Sequence, residues 1–494
     1  MLFNSIDFLI FFPVVVLVYL IIPKKIRYIW LLASSYYFYM CWNAKYAVLI
    51  ATSTIITYAA GLIVGKASKK GIKKLVIALG MATNLGILFV FKYFDFALLN
   101  LNKVLNLLHM DLVSNPFDII LPVGISFYTF QALGYMIDVY RGDCEAEKNI
   151  LKYALFVSFF PQLVAGPIER SKNLLSQIRA MGERKIISHE KIVKGLTLMV
   201  WGLFMKMVIA DRVAIFVDSI FDNFYAIGMV EGIAGAVGFA IQIYCDFGGY
   251  SAIAIGAALV MGFELMENFN TPYFALNITD FWKRWHISLS TWFRDYLYFP
   301  LGGGRCAKWR KYLNLFITFA VSGLWHGASW NYVAWGMLHG FYRVMDEVLK
   351  RPKAFLEDKL KIRTNVFSYR FLWVAITFVF TCFAWIFFRA KSLSLAFIYI
   401  RNLFTRFNPW VLVNDELFTY GLDVKEIRIL LIAVLVLIVF DIIRYKKGLN
   451  PAEFLYSQNY YFAVLTFALL VVSVIIFGEY GVNFDSNQFI YFDF

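Results

Sequence analysis

Residues 462–477 read FAVLTFALLVVSVIIF, an apolar run without one charged side chain. Two more such runs, FLIFFPVVVLVYLIIP (8–23) and LLIAVLVLIVF (430–440), lie elsewhere in the chain. With their flanks they approach the ~20 residues that a helix needs to cross hydrocarbon. None alternates polar and apolar side chains as a lipid-facing barrel strand does, so a helix is the spanning structure that satisfies their backbone. Of 494 residues, 61% are hydrophobic and 16% charged, against roughly 25% charged in soluble proteins. The mean hydropathy is +0.65. The expected fold class is an all-α integral membrane protein with about ten to twelve transmembrane helices. Residues 1–494 read as one polytopic domain, without a Pro/Ser-rich linker, a low-complexity tract or an internal repeat.

The net charge of +14 does not make this a nucleic-acid binder. Lys and Arg sit in the connections between apolar runs, without a recognition motif, where they orient the chain across a bilayer. MLFNSIDF, ahead of the first run, has neither residue, whereas PKKIR (23–27) follows it. The segments GKASKKGIKK (65–74), ERSKNLLSQIRAMGERK (169–185), 282–311 and 350–363 are rich in both and are expected in the cytoplasm. No Lys or Arg follows Lys447, so both termini of this multi-pass chain are expected outside the cytoplasmic membrane. The first run lacks a basic n-region and a small-residue cleavage site, and is expected to remain.

Several chemistries find no residues to carry them. Cys41, Cys144, Cys245, Cys306 and Cys382 are scattered and odd in number, and the five histidines lack paired ligand spacing, so no metal site is expected. GxSxG is absent, and LGGGR (301–305) lacks the GK[ST] ending of a phosphate loop.

What stands out is polar chemistry inside apolar sequence. SGLWHGASWNYVAWGMLHG (322–340) holds His326 and His339 as its only ionisable side chains. An ionisable residue at membrane depth costs a few kcal/mol and is a functional candidate. His326 lies between Gly323 and Gly327, which let a ligand or another helix approach closely; the bland alternative is an imidazole bonded across helices. His339 lies 13 residues on, roughly 220° around a continuous helix, and reads as a structural hydrogen-bonding residue. His286 sits in FWKRWHISLSTWFRDYLYF, where cations and aromatics interleave. That segment either anchors at the interface or folds inward to line a cavity, with Lys283 and Arg284 near an anionic ligand. Asp246, Gln162 and Glu169 are further polar candidates. Lys206, Asp211 and Arg212 mark an interface or an internal ion pair. Pro161, Gly166 and Pro167 should break regular helix beside protein or a cavity.

Three blocks, SFFPQLVAGPIERSKNLLSQI (158–178), 244–303 from YCDFGGYSAIAIG to LYFPLGG, and SGLWHGASWNYVAWGMLHG (322–340), closely resemble the membrane-bound O-acyltransferase (MBOAT) family. They are most similar to its bacterial AlgI-type branch, which serves polysaccharide O-acetylation. The opening MLFNSIDFLIFFPVV shares the likeness, so it covers essentially the whole chain. The related DltB-type branch, which transfers D-alanine, shares the central motifs but is shorter after about residue 390. By this resemblance the MBOAT core spans about residues 90–390, with extra transmembrane helices over about 390–494. The family fold is a ring of helices around a thinned centre, where a cytoplasmic funnel meets an external one.

The resemblance also implies roles. His326 matches the catalytic histidine, and His286 matches the second polar position, an asparagine or histidine. A neutral imidazole, with an ordinary pKa near 6.5, can take the proton of an acceptor hydroxyl; a transient acyl-imidazole is the other route. His286 would orient substrate or stabilise an oxyanion. Lys283, Arg284 and Arg294, with Asp246, Gln162, Glu169 and Trp325, are candidates for binding the donor or substrate. The implied donor is an acyl thioester, acetyl-coenzyme A or an acyl-carrier protein, with no permanently bound cofactor. Implied partners are the lipid bilayer, an extracytoplasmic acetyltransferase of the SGNH-hydrolase type and an extracellular polysaccharide acceptor. Two alternatives remain: D-alanyl transfer to teichoic acid, and a transporter or polysaccharide exporter without acyl chemistry. Against the transporter, no duplicated halves with matching broken helices are visible.

Overall fold

The computed structural model describes residues 1–116, 121–164, 166–182 and 188–480. The end of the basic stretch at 183–185 and the last residues, 481–494, lie outside the described residues. Helices and turns make up the described chain, with no strand. It is an all-α integral membrane fold. Among the described residues, six helices are long and apolar enough to cross a membrane: Tyr46–Lys66, Lys70–Leu107, His189–Asp222, Met229–Val260, Phe367–Arg389 and Tyr460–Phe477. Other apolar runs give less regular pieces. Ile6–Ile21 and Leu393–Thr405 are shorter, and Val424–Lys447 includes Arg428, Asp441 and Arg444. That last helix has legible ends: Asp423 and Glu426 form a capping box, and Gly448, at φ 71°, stops it.

The residues divide into two compact units, Met1–Gly195 with Ala254–Met266, and Leu196–Ile253 with Glu267–Phe494. In the first, the expected break falls where proline and glycine demand it. Helix Ile150–Ser158 gives way to the four-residue turn Phe160–Leu163, and Gly166 N donates to the Gln162 carbonyl at 3.1 Å. Gln162 Nε2 donates to Gln131 Oε1 and the Phe156 carbonyl, both at 3.0 Å. Glu169 is buried and accepts from Met266 N at 2.5 Å and Asn173 Nδ2 at 2.8 Å.

In the second unit, the internal ion pair expected around Lys206 is present. Lys206 Nζ lies 2.6 Å from Asp211 Oδ1 and 2.7 Å from Asp246 Oδ1, with all three side chains almost completely buried. Arg212 pairs with Glu479 at 2.6 Å. Buried charges persist when paired, and removing one partner costs about 3–5 kcal/mol.

The element that places the site is an antiparallel hairpin in this unit. An outgoing helix, Lys308–His326, ends because Gly327 is extended (φ −163°, ψ 149°), and a returning helix, Trp330–Lys359, follows extended Ser329. The run through His326 is therefore not one span; its helix stops at the histidine. Lys311 Nζ meets Glu347 Oε1 at 2.5 Å near one end. Towards the turn the helices touch backbone to backbone: a Cβ on Gly336 would lie 3.0 Å from both Gly323 Cα and Gly323 N. What Gly323 admits is thus the returning helix.

Candidate active site

His326, the last residue of the outgoing helix, is 2% exposed, and His286 is fully buried. Their ring centroids are 6.2 Å apart. Trp325 lies against both, 4.9 Å from His326 and 5.9 Å from His286. The structure therefore brings together three of the residues singled out from sequence. Trp335 stands edge-on to His326 at 5.0 Å, and Phe388 lies at 5.4 Å. Phe247 packs against His286 at 4.7 Å. Two imidazoles thus share an aromatic box that excludes water and strengthens any charge-dependent interaction inside it.

His286 stands just ahead of helix Ile287–Phe293, at φ 43° and ψ 55°, a region L residues seldom occupy. Burial pushes its pKa down to about 3, so its imidazole is neutral at any physiological pH. His339 is the structural residue expected: Trp282 Nε1 donates to its Nδ1 at 3.2 Å, which leaves the proton on Nε2. The wheel separation of about 220° assumed one continuous helix and does not apply: the turn at 327–329 puts the two histidines on different helices, and both rings lie 5.0 Å from Trp335.

A cavity of about 420 Å³ is lined by helix 287–293, both hairpin helices and Trp282, whose ring packs on Trp335 at 5.8 Å; neither His286 nor His326 lines it. Lys283, Arg294, Lys311 and Arg343 supply four cations to its wall, and Glu347 one anion. Along the outgoing helix the lining residues are Lys311, Leu315, Thr318, Phe319 and Ser322. They follow one helical face, and the next position on that face, four residues past Ser322, is His326. Lys311 and His326 are separated by about 22 Å of helix rise.

Lys283 and Arg294 line this cavity as the ligand-binding expectation requires, but Arg284 does not. Its Nε donates to Asp280 Oδ1 at 2.9 Å and its Nη1 to Thr271 Oγ1 at 3.2 Å, while the guanidinium lies over the Tyr445 ring at 5.4 Å. Adjacent helical residues leave the helix about 100° apart, and here Lys283 faces the cavity while Arg284 faces Asp280 and Tyr445. Asp246 is likewise engaged, with Lys206. Gln162 and Glu169 make the local contacts of the first unit described above. Sequence reasoning missed Trp335, Phe247, Lys311, Arg343 and Ser322. The first two look like ordinary core aromatics; Lys311 and Ser322 lie in stretches already singled out, but one reads as an orienting cation and the other as a plain helix residue, and Arg343 lies beyond both.

The sequence profile described as "MBOAT, membrane-bound O-acyltransferase family" matches residues 146–385, which include both histidines. The "Probable alginate O-acetylase AlgI" of Pseudomonas aeruginosa is 38% identical over 453 residues, covering 90% of this chain and 82% of its own. This chain belongs to the membrane-bound O-acyltransferase family. A "Peptidoglycan O-acetyltransferase" of Helicobacter pylori is 36% identical over 392 residues, 74% of this chain and 72% of its own. A "Teichoic acid D-alanyltransferase" of Bacillus subtilis is 28% identical over 291 residues, 56% of this chain and 70% of its own. The protein is an O-acyltransferase.

Proposed function

We propose that this membrane-bound O-acyltransferase takes an acyl group, acetyl in our reading, from a cytoplasmic thioester and passes it across the membrane for O-acetylation of an extracytoplasmic polysaccharide. The observation that carries this is the cavity whose cationic wall leads along one helical face to Ser322, one turn short of His326. A thioester donor on coenzyme A or a carrier protein bears phosphate at one end and the reactive carbonyl at the other. Lys283, Arg294, Lys311 and Arg343 suit the phosphate, and the aromatic box suits the acyl end.

In this reading His326 accepts the proton of the acceptor hydroxyl as its oxygen bonds to the thioester carbonyl carbon. The C–S bond then breaks, the thiolate leaves, and His326 returns the proton to it. His286, neutral, orients the acyl group or donates to the developing oxyanion. No cofactor is needed. The basic segments 282–311 and 350–363 face the cytoplasm, both termini lie outside, and an extracytoplasmic acetyltransferase of the SGNH-hydrolase type carries the acyl group onward to the polymer. The alginate and peptidoglycan relatives support acetyl over D-alanyl, since both match this chain more fully than the teichoic-acid relative does.

The test is one of sidedness. Right-side-out membrane vesicles are loaded with radiolabelled acetyl-coenzyme A, and base-labile label is measured on polysaccharide exposed to an added esterase. Label should reach that polysaccharide only when the donor is enclosed; equal labelling from donor added outside would overturn the proposal.

A further inference from the structure

The segment that carries His286 is clamped by a second piece of the chain. Ile287 N donates to the Asn268 carbonyl, and Asn270 N to the Arg284 carbonyl, each at 2.9 Å. Residues 268–270 therefore run alongside 284–287, and these two bonds bracket His286. The Asn268 side chain extends the clamp in two directions. Its Nδ2 donates to Ser251 Oγ at 3.1 Å, and its Oδ1 accepts from Ser288 Oγ at 2.6 Å. Asn268, Ser251 and Ser288 are all buried. Ser251 lies on helix Met229–Val260, one turn after Phe247, whose ring packs on His286. One amide thus joins that helix to the first turn of Ile287–Phe293, with His286 immediately before that turn.

The backbone there needs such a tie. His286 at φ 43° and Thr271 at φ 44° are both left-handed without being glycine. Such conformations persist only where the surroundings impose them, and they gather at functional sites. A histidine aimed by its backbone is aimed only as firmly as that backbone is held.

We propose that Asn268 is the positioning residue for His286: its amide holds the left-handed backbone that sets the imidazole 6.2 Å from His326. The proposal rests on His286 belonging to the reacting site, as argued above. Asn268 acts through the backbone and takes no part in the chemistry. A misplacement of about 1 Å near a reacting centre costs on the order of 100-fold in rate. Asn268→Ala should therefore lower acyl transfer in vesicles 10- to 100-fold at saturating donor, with the half-saturating donor concentration unchanged.

A second measurement needs no activity. Glycine occupies the left-handed region freely and alanine does not, so in detergent His286→Gly should melt above His286→Ala. If Asn268 imposes the conformation, that gap should shrink in the Asn268→Ala background. Unchanged transfer by Asn268→Ala, or a Gly–Ala gap equal with and without Asn268, overturns the proposal. Failure of the functional reading would look different: wild type and His326→Ala would transfer alike, while the melting comparison would still report on the clamp.

Discussion

The backbone contact between Gly323 and Gly336 makes the placement of His326 sensitive to one methyl group. Alanine at 336 would put its Cβ 3.0 Å from Gly323 Cα and N, and closer still to the Phe319 carbonyl oxygen. Ordinary contact begins near 3.4 Å, so both backbones must retreat. Neither helix offers a flexible side chain that can yield. The carbonyl contact is the tighter one, so the separation needed is on the order of 1 Å in a close-packed interior. His326 lies three residues past Gly323 and moves with it, whereas His286 is held by a different segment. A relative shift of that size predicts a loss of about 100-fold in transfer, or about 2.7 kcal/mol of transition-state stabilisation. Overpacking should also lower stability by about 1–3 kcal/mol. The assay is the initial rate of base-labile acyl release from polysaccharide, at matched membrane abundance, with a melting curve in detergent. Full transfer by a folded Gly336→Ala protein would refute the reasoning, because it would mean that His326 need not be held by this crossing.

Other outcomes follow from the same geometry. Lys283→Ala should raise the donor concentration needed for half-maximal rate by roughly 10-fold or more, the worth of one charge-assisted hydrogen bond; Arg284→Ala should leave it unchanged, since that guanidinium faces Asp280 and Tyr445. Titrating the donor in membrane vesicles from each variant checks both. Lys206→Ala strands two buried carboxylates and should cut stability by about 3–5 kcal/mol, read as a lower melting temperature. Two buried groups outside the six apolar helices should pull stability in opposite directions with pH. Burial holds the Glu169 pKa up at about 7, so its contribution is present in full below the ordinary 4.5 and is lost as pH rises through 7. The His286 pKa is held down at about 3, so the unfolded chain takes up the proton first, and stability falls by about 1.4 kcal/mol per unit as pH drops below 6.5. Between pH 5 and pH 6.5 the two slopes oppose and offset each other in the wild type, so Glu169→Gln should leave a melting temperature that falls as pH drops below 6.5, and His286→Asn one that falls as pH rises from 5 to 7.

The apolar runs made the solvent legible, and His326 and His286 stood out as imidazoles in or beside them; the structure buries both and sets their rings 6.2 Å apart. The ion pairing around Lys206 was visible in the same way, because Lys206, Asp211 and Arg212 interrupt an apolar stretch. The turn at 327–329 was not legible. GAS carries neither proline nor charge, so the pattern continues through it as though the helix did. Trp335 escaped notice because a buried aromatic at helical spacing is usually core, and here it is core that touches the His326 imidazole. The cavity wall draws on positions from Thr279 to Glu347, a juxtaposition set by the hairpin and absent from any local motif. Lys283 and Arg284 looked like one basic pair, although Asp280, four residues before Arg284, already marks its i,i+4 partner.

The central claim, acyl transfer through His326, is met most directly in cells carrying the wild type or His326→Ala at matched membrane abundance. Base-labile acids released from envelope and secreted polysaccharide are identified by chromatography. The account predicts that acetate is lost in the variant and D-alanine is unaffected. Loss of D-alanine instead would move the assignment to teichoic-acid decoration, and unchanged release of both acids would contradict transfer through His326.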